Sequence, residues 1–135
     1  MKIHHTALWV KDIEKIKDFY CQYFDGQAGA RYENAAKGFA SYFLHFGGGS
    51  SLEVMARTGI SARSTEEMLG YCHVAFAFDS PEEVDGLSGR LQADGYLVLG
   101  QARTTGDGYY ESVVADPEGN RVELVFDARM LHNKE

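Results

Sequence analysis

Tyr71-Cys72-His73-Val74-Ala75-Phe76-Ala77-Phe78-Asp79-Ser80-Pro81-Glu82-Glu83 carries a strand, a break and a helix start in one short stretch. Val74, Phe76 and Phe78 alternate with His73, Ala75 and Ala77, so the run from Tyr71 to Phe78 reads as a strand with two unlike faces. Ser80 is a helix N-cap, Pro81 takes the first helical position, and Glu83 stands three residues after the cap. Val84, Leu87 and Leu91 then fall on one helical stripe, and Gly95 closes the helix. Strand-like runs follow at about 96–103, 109–115 and 121–126. The last two are joined by the hairpin turn Asp116-Pro117-Glu118-Gly119-Asn120.

The same order occurs upstream. Residues 3–10, Ile-His-His-Thr-Ala-Leu-Trp-Val, read as a strand, and Asp12 caps a helix whose first turn holds Glu14. Ile13, Ile16, Tyr20, Tyr23 and Phe24 form its apolar face, with Gly26 as its stop. Strand-like runs at 27–33, 39–46 and 51–57 follow, the last two linked by a tight turn at Gly47-Gly48-Gly49. The chain is thus an α+β protein of two βαβββ modules. The first covers about 1–57 and the second about 71–127, in one domain of 135 residues. Between them, 58–70 is a linker or lid with a helical turn near Glu66 to Leu69. The tail 128–135 has no clear period.

Composition narrows the function. Lys plus Arg number 13 against 20 Asp plus Glu, a net charge of −7, which repels phosphate backbones and argues against nucleic-acid binding. An apolar share of 44% supports a packed core. No run approaches the roughly 18 apolar residues of a membrane span. Met1-Lys2-Ile3-His4-His5 does not read as a signal peptide, and two cysteines, Cys21 and Cys72, do not make a disulfide framework. A cytoplasmic protein is expected.

Each half carries a histidine in its first strand and a glutamate in its last. The pairs His5/Glu53 and His73/Glu123 are separated by 48 and 50 residues. Glu53 lies between Leu52 and Val54, and Glu123 between Val122 and Leu124, so both face away from their apolar neighbours. By the same alternation His5 shares a face with Ala7 and Trp9, opposite Leu8 and Val10. A lone histidine in a strand is usually structural, and a glutamate between apolar residues is often the solvated side of an amphipathic strand. Matched placement in two halves favours a shared task instead. Two imidazoles and two carboxylates suit a divalent ion such as zinc, nickel, cobalt, manganese or iron(II), with open positions for water or substrate. Such an ion polarises a carbonyl, and a loosely held carboxylate can take a proton from the adjacent carbon. The other candidates read as packing or surface. His4 falls on the opposite parity to His5, His45 has no counterpart, and His132 is in the tail. Cys72 shares parity with Val74 and reads as core, and Cys21 as helix packing.

Five segments together resemble the vicinal oxygen chelate superfamily of glyoxalases, bleomycin-resistance proteins and dioxygenases. They are His5-Thr6-Ala7-Leu8-Trp9-Val10-Lys11-Asp12, Phe19-Tyr20, Leu52-Glu53-Val54, His73-Val74-Ala75-Phe76, and the stretch Asp116 to Leu124. The resemblance implies paired modules forming a cup around a divalent metal held by His5, Glu53, His73 and Glu123. The full His/Glu/His/Glu set is most similar to glyoxalase I. It implies a metal-dependent lyase or isomerase acting on a small molecule, which for glyoxalase I is a 2-oxoaldehyde–thiol hemithioacetal. Glu123 would be the base, with Glu53 as its rival, and a homodimer is the expected assembly. An epimerase, a thiol transferase or an antibiotic-type binding protein are the alternatives. The first strand lacks the arginine, and Val54-Met55-Ala56-Arg57 lacks the asparagine, that help glyoxalase I hold glutathione. The resemblance therefore carries the metal set and the fold further than it carries that substrate.

Overall fold

The computed structural model describes residues 1–134, with side chains through Leu131. The chain divides into two compact units, Met1–Thr65 and Glu66–Glu135.

In the first unit, β1 (His5–Trp9) leads to α1 (Ile13–Phe24), then to β2 (Gln27–Ala28), β3 (Tyr32–Asn34), β4 (Phe39–His45) and β5 (Ser51–Arg57). The strands lie in the order β1-β5-β4-β2, with β3 also paired to β4. β1 runs parallel to β5, and β5 antiparallel to β4. Alternation decides which residues go inside: Leu52 and Val54 of β5 and Leu44 of β4 are buried under α1. The helix buries Ile13, Ile16, Phe19, Tyr20, Tyr23 and Phe24, the expected stripe plus Phe19. Asp12 caps it by accepting from the Lys15 amide at 3.0 Å.

Three expectations for this unit are corrected. Asp25, at φ 55°, is the left-handed residue that ends α1, so Gly26 is not its stop. Gly26 is small for another reason: a Cβ there would lie 3.0 Å from Phe46 Cε1 and 3.2 Å from the Tyr20 carbonyl oxygen. The run 27–33 is not one strand. It breaks into β2 and β3, and a 3₁₀ turn at Ala35–Lys37, capped by Asn34, precedes β4. The connection after β4 is a loop over 46–50 and not a three-glycine turn, because His45 already pairs with Ser51.

The second unit places β6 (His73–Phe78), α2 (Pro81–Ala93), β7 (Val98–Thr104), β8 (Tyr110–Ala115) and β9 (Arg121–Phe126) in the sheet order β6-β9-β8-β7. Ser80 Oγ accepts from the Glu83 amide at 3.2 Å, and the Glu83 carboxylate accepts from the Asp79 amide at 2.8 Å. Gly95 ends α2 at φ 94°, a conformation open to glycine and costly for other residues. Val84, Ser88 and Leu91 are buried beneath α2, and Val114, Val122 and Leu124 face them from the sheet. The hairpin before β9 is built on Asp116, whose carboxylate accepts from the amides of Glu118 and Asn120 and from the Asn120 side chain.

The segment 58–70 contains no helical turn near Glu66 to Leu69, and the boundary between the units falls inside it. The tail forms a 3₁₀ helix over Ala128–Lys134 that no period announced. The His132 side chain lies outside the described residues.

Candidate functional site

The two modules repeat one register. In the first, Ala7 sits opposite Glu53 across the parallel pair, so His5 is one step along the same face. In the second, Ala75 sits opposite Glu123, with His73 in the same relation. Each histidine is on a strand at the end of its sheet, and each glutamate is on the strand beside it, gripped on both sides by the ladder. His5 Nε2 lies 3.7 Å from Glu53 Oε1, and His73 Nε2 lies 3.2 Å from Glu123 Oε2. The glutamates are the more sheltered partners, with side chains 15% and 18% exposed against 39% and 36% for the histidines.

The other ring nitrogen is engaged in both modules, and by the same neighbour in sequence. His4 Nδ1 is 2.8 Å from His5 Nδ1, and Cys72 Sγ is 3.3 Å from His73 Nδ1. With Nδ1 occupied, Nε2 is the nitrogen turned to the glutamate, the arrangement by which an outer partner orients a metal-ligating histidine. This corrects two expectations. His4 precedes β1, so strand alternation does not apply to it and it touches His5. Cys72 likewise precedes β6, and it is exposed and not part of the core. Cys21 is half-buried, and burial pushes its thiol pKa up, as expected of a packing residue. His45 is exposed and bound to Ser51 Oγ at 2.8 Å, in the row where Ser51 stands between His45 and His5.

An imidazole nitrogen and a carboxylate oxygen bound to one ion at bond lengths near 2 Å stand roughly 3 Å apart. The spacing in each module fits such a pair of ligands. Among the described residues no group of three or more histidine, cysteine or acidic side chains is placed to hold a metal ion.

Sequence reading missed Glu111. It shares the β8 face of Val113, which is directly opposite Glu123. Burial first, then the negative charge of Glu123 and hydrogen bonding to it, hold the Glu111 carboxyl above the usual carboxylate range. The signal was available: counting back from the Asp116–Asn120 hairpin puts 113 across from 123, and strand parity brings 111 to the same face. Phe43, the β4 residue paired with Glu53, was also passed over, and its ring meets the His5 ring edge-on at 5.2 Å.

With fold and pairs in view, the chain belongs to the Glyoxalase/Bleomycin resistance protein/Dioxygenase superfamily, whose family model matches residues 2–124. It is 28% identical over 131 residues to the uncharacterised protein YqjT of Bacillus subtilis (strain 168), covering 91% of this chain and 97% of that one. Among solved structures it is similar to the trypanothione-dependent glyoxalase I of Leishmania major. The TM-score is 0.77 at 19% identity, over 99% of this chain and 92% of that one. It is also similar to a glyoxalase family protein from Enterococcus faecalis, with TM-score 0.76 and 25% identity over 92% and 96% of the two chains. Among the described residues no helix is long and apolar enough to cross a membrane.

Proposed function

We propose that this protein is a glyoxalase I-like, metal-dependent lyase or isomerase that shifts a proton at a carbon beside a carbonyl of a small molecule. The substrate class is a 2-oxoaldehyde–thiol adduct. The supporting observation is the duplicated pair: the same imidazole and carboxylate, in the same register, at 3.7 and 3.2 Å. His5, Glu53, His73 and Glu123 are the proposed ligands of one divalent ion of the zinc, nickel, cobalt, manganese or iron(II) kind. When bound, the ion supplies Lewis-acid polarisation of the carbonyl. The chain's own residues do the rest. His4 and Cys72 hold the rings so that each Nε2 faces the glutamate of its own module. Glu123 takes and returns the proton, and the packed strand beneath it, with Val122 and Leu124 buried, keeps its carboxylate in place. Glu53 is the rival base. Family kinship adds a homodimer in the cytoplasm to the proposal.

Metal analysis of the purified protein tests the first half, and turnover of methylglyoxal with a panel of thiols in solvent deuterium tests the second. Near-stoichiometric metal, lost in His5→Ala and His73→Ala, and deuterium in the product support the reading. Full metal content in both variants, or no turnover and no exchange with any thiol, rejects it.

A further inference from the structure

β4, β5 and β1 lie side by side, and one row of paired residues crosses them: His45, Ser51 and His5. Partners across a ladder point to one face, so His45 shares the face of His5. Glu53 is on that face too, two residues along β5 from Ser51. Two strand spacings, roughly 10 Å, separate the backbones of His45 and His5. Phe43, two residues before His45 on β4, pairs with Glu53 and sets its ring edge-on against His5. An imidazole that the proposed metal set leaves unused thus stands at the border of that set.

Its surroundings differ from those of the proposed ligands. His5 and His73 have both ring nitrogens engaged. His45 has Nδ1 at 2.8 Å from Ser51 Oγ, and its Nε2 has no partner among the described residues. A hydroxyl has one proton and two lone pairs, so it donates to a bare Nδ1 and accepts from a protonated one. The ring is held in one place through both states while Nε2 stays open. The fold does not require a histidine here. In the second module the same register puts Ala115 and Arg121 in the places of His45 and Ser51.

The proposed isomerisation has work for such a group. Converting R–CO–CH(OH)–SR′ to R–CH(OH)–CO–SR′ moves two protons. One leaves the hydroxyl-bearing carbon and returns to its neighbour, and Glu123 carries it. The electron pair of the broken C–H bond passes through a carbon–carbon double bond into the new C–H bond. One carbon is oxidised and the next reduced, with no outside co-reactant. The second proton leaves the hydroxyl oxygen, and the former carbonyl oxygen gains one. Glu123 is occupied with the first proton, so the second needs another carrier.

We infer that His45 carries this oxygen-bound proton, Nε2 taking it from the hydroxyl oxygen and giving it to the carbonyl oxygen, with Ser51 as the positioning residue. The inference rests on the proposed reaction and deepens it. Imidazole suits the task because it both accepts and donates a proton near neutral pH.

The test uses the full-length, zinc-loaded protein with methylglyoxal and a panel of thiols. His45→Ala should bind zinc as the wild type does in calorimetric titration, keep KM nearly unchanged and lower kcat about 10²-fold. Added imidazole should restore part of that kcat relative to wild type in the same imidazole, and sodium chloride at equal ionic strength should not. Ser51→Ala should lose less, because the ring remains and only its hold is gone. Wild-type kcat in His45→Ala, or a loss that imidazole does not restore, overturns the inference and leaves the proposed function standing. Weakened zinc binding in His45→Ala would make His45 a ligand and likewise overturn it. No turnover of any adduct by the wild type overturns both.

Discussion

In the first module, helix α1 is tied to its sheet by charge: Glu14 accepts from Tyr42 on β4 at 2.7 Å and from Arg31 at 2.6 Å, with Lys17 at 3.2 Å. In the second, α2 is tied to its sheet by two buried hydroxyls, Ser88 Oγ and Ser112 Oγ, at 2.6 Å, and by an exposed bond in which the Tyr110 hydroxyl of β8 donates to Asp85 at 2.6 Å. The outer ends of the strands differ as well, with Trp9 and Arg57 in one module and Ala77 and the Asp127–Arg129 pair in the other. The His–Glu pair and its register are the same in both. Where a helix needs only to be held against a sheet, an ionic clamp and a hydroxyl pair serve equally. Where a histidine and a glutamate must share one face, strand pairing leaves a single solution, because a slip of one residue turns Glu53 or Glu123 to the helix side.

If the pairs are chemically distinct despite that symmetry, the largest effect comes from Glu123→Gln. It should keep the fold and cut kcat by about 10²–10⁴, as loss of a general base does, while Glu53→Gln costs less. The check is steady-state turnover with deuterium incorporation. A greater loss in Glu53→Gln would exchange the roles of the two modules.

The cores should respond alike. Leu44 in the first module and Leu91 in the second are both fully buried, and replacing either with alanine should cost about 2–5 kcal/mol in denaturant unfolding. A loss under about 1 kcal/mol in one of them would mark that module's core as able to collapse around the gap. As ligands, His5 and His73 should also be equivalent: alanine at either should weaken zinc binding on the order of 10²-fold, at or above what loss of an outer partner costs. His45→Ala should leave it unchanged. Calorimetric titration with zinc reads both.

The smallest effect distinguishes the helix anchors by pH. The Tyr42 hydroxyl and the Arg31 guanidinium lower the Glu14 pKa from 4.5 to about 2. Its folded pKa is depressed, so its contribution is complete above about 4.5 and disappears as pH falls toward 2. The denaturation midpoint should drop across that window in the wild type and drop less in Glu14→Gln, whereas Ser88→Ala should lower it equally at every pH. Equal acid sensitivity in wild type and Glu14→Gln would show that the carboxylate does not anchor α1.

Local chemistry was readable because its partners are close in sequence. The Ser80-Pro81-Glu83 start, the Asp12 cap and the Asp116 turn each depend on hydrogen bonds spanning two to four residues. Strand alternation reached further: it placed His5, Glu53, His73 and Glu123 on the faces away from Leu52, Val54, Val122 and Leu124. It failed at strand ends. His4 and Cys72 stand just before β1 and β6, where the backbone no longer alternates, and parity sent one to the wrong face and the other to the core.

The sequence by itself determined the repeated strand-helix-strands order and the strand faces of His5, Glu53, His73 and Glu123, since both follow from periodicity and from turns made by neighbouring residues. Only the tertiary structure decided that 27–33 breaks into two strands, because that depends on where β4 offers free backbone groups. It alone brought Phe43 against the His5 ring and set Arg57 over Trp9 without a counter-charge. Those contacts join side chains on different strands, and the distance between two such side chains is a property of sheet pairing that no local pattern encodes.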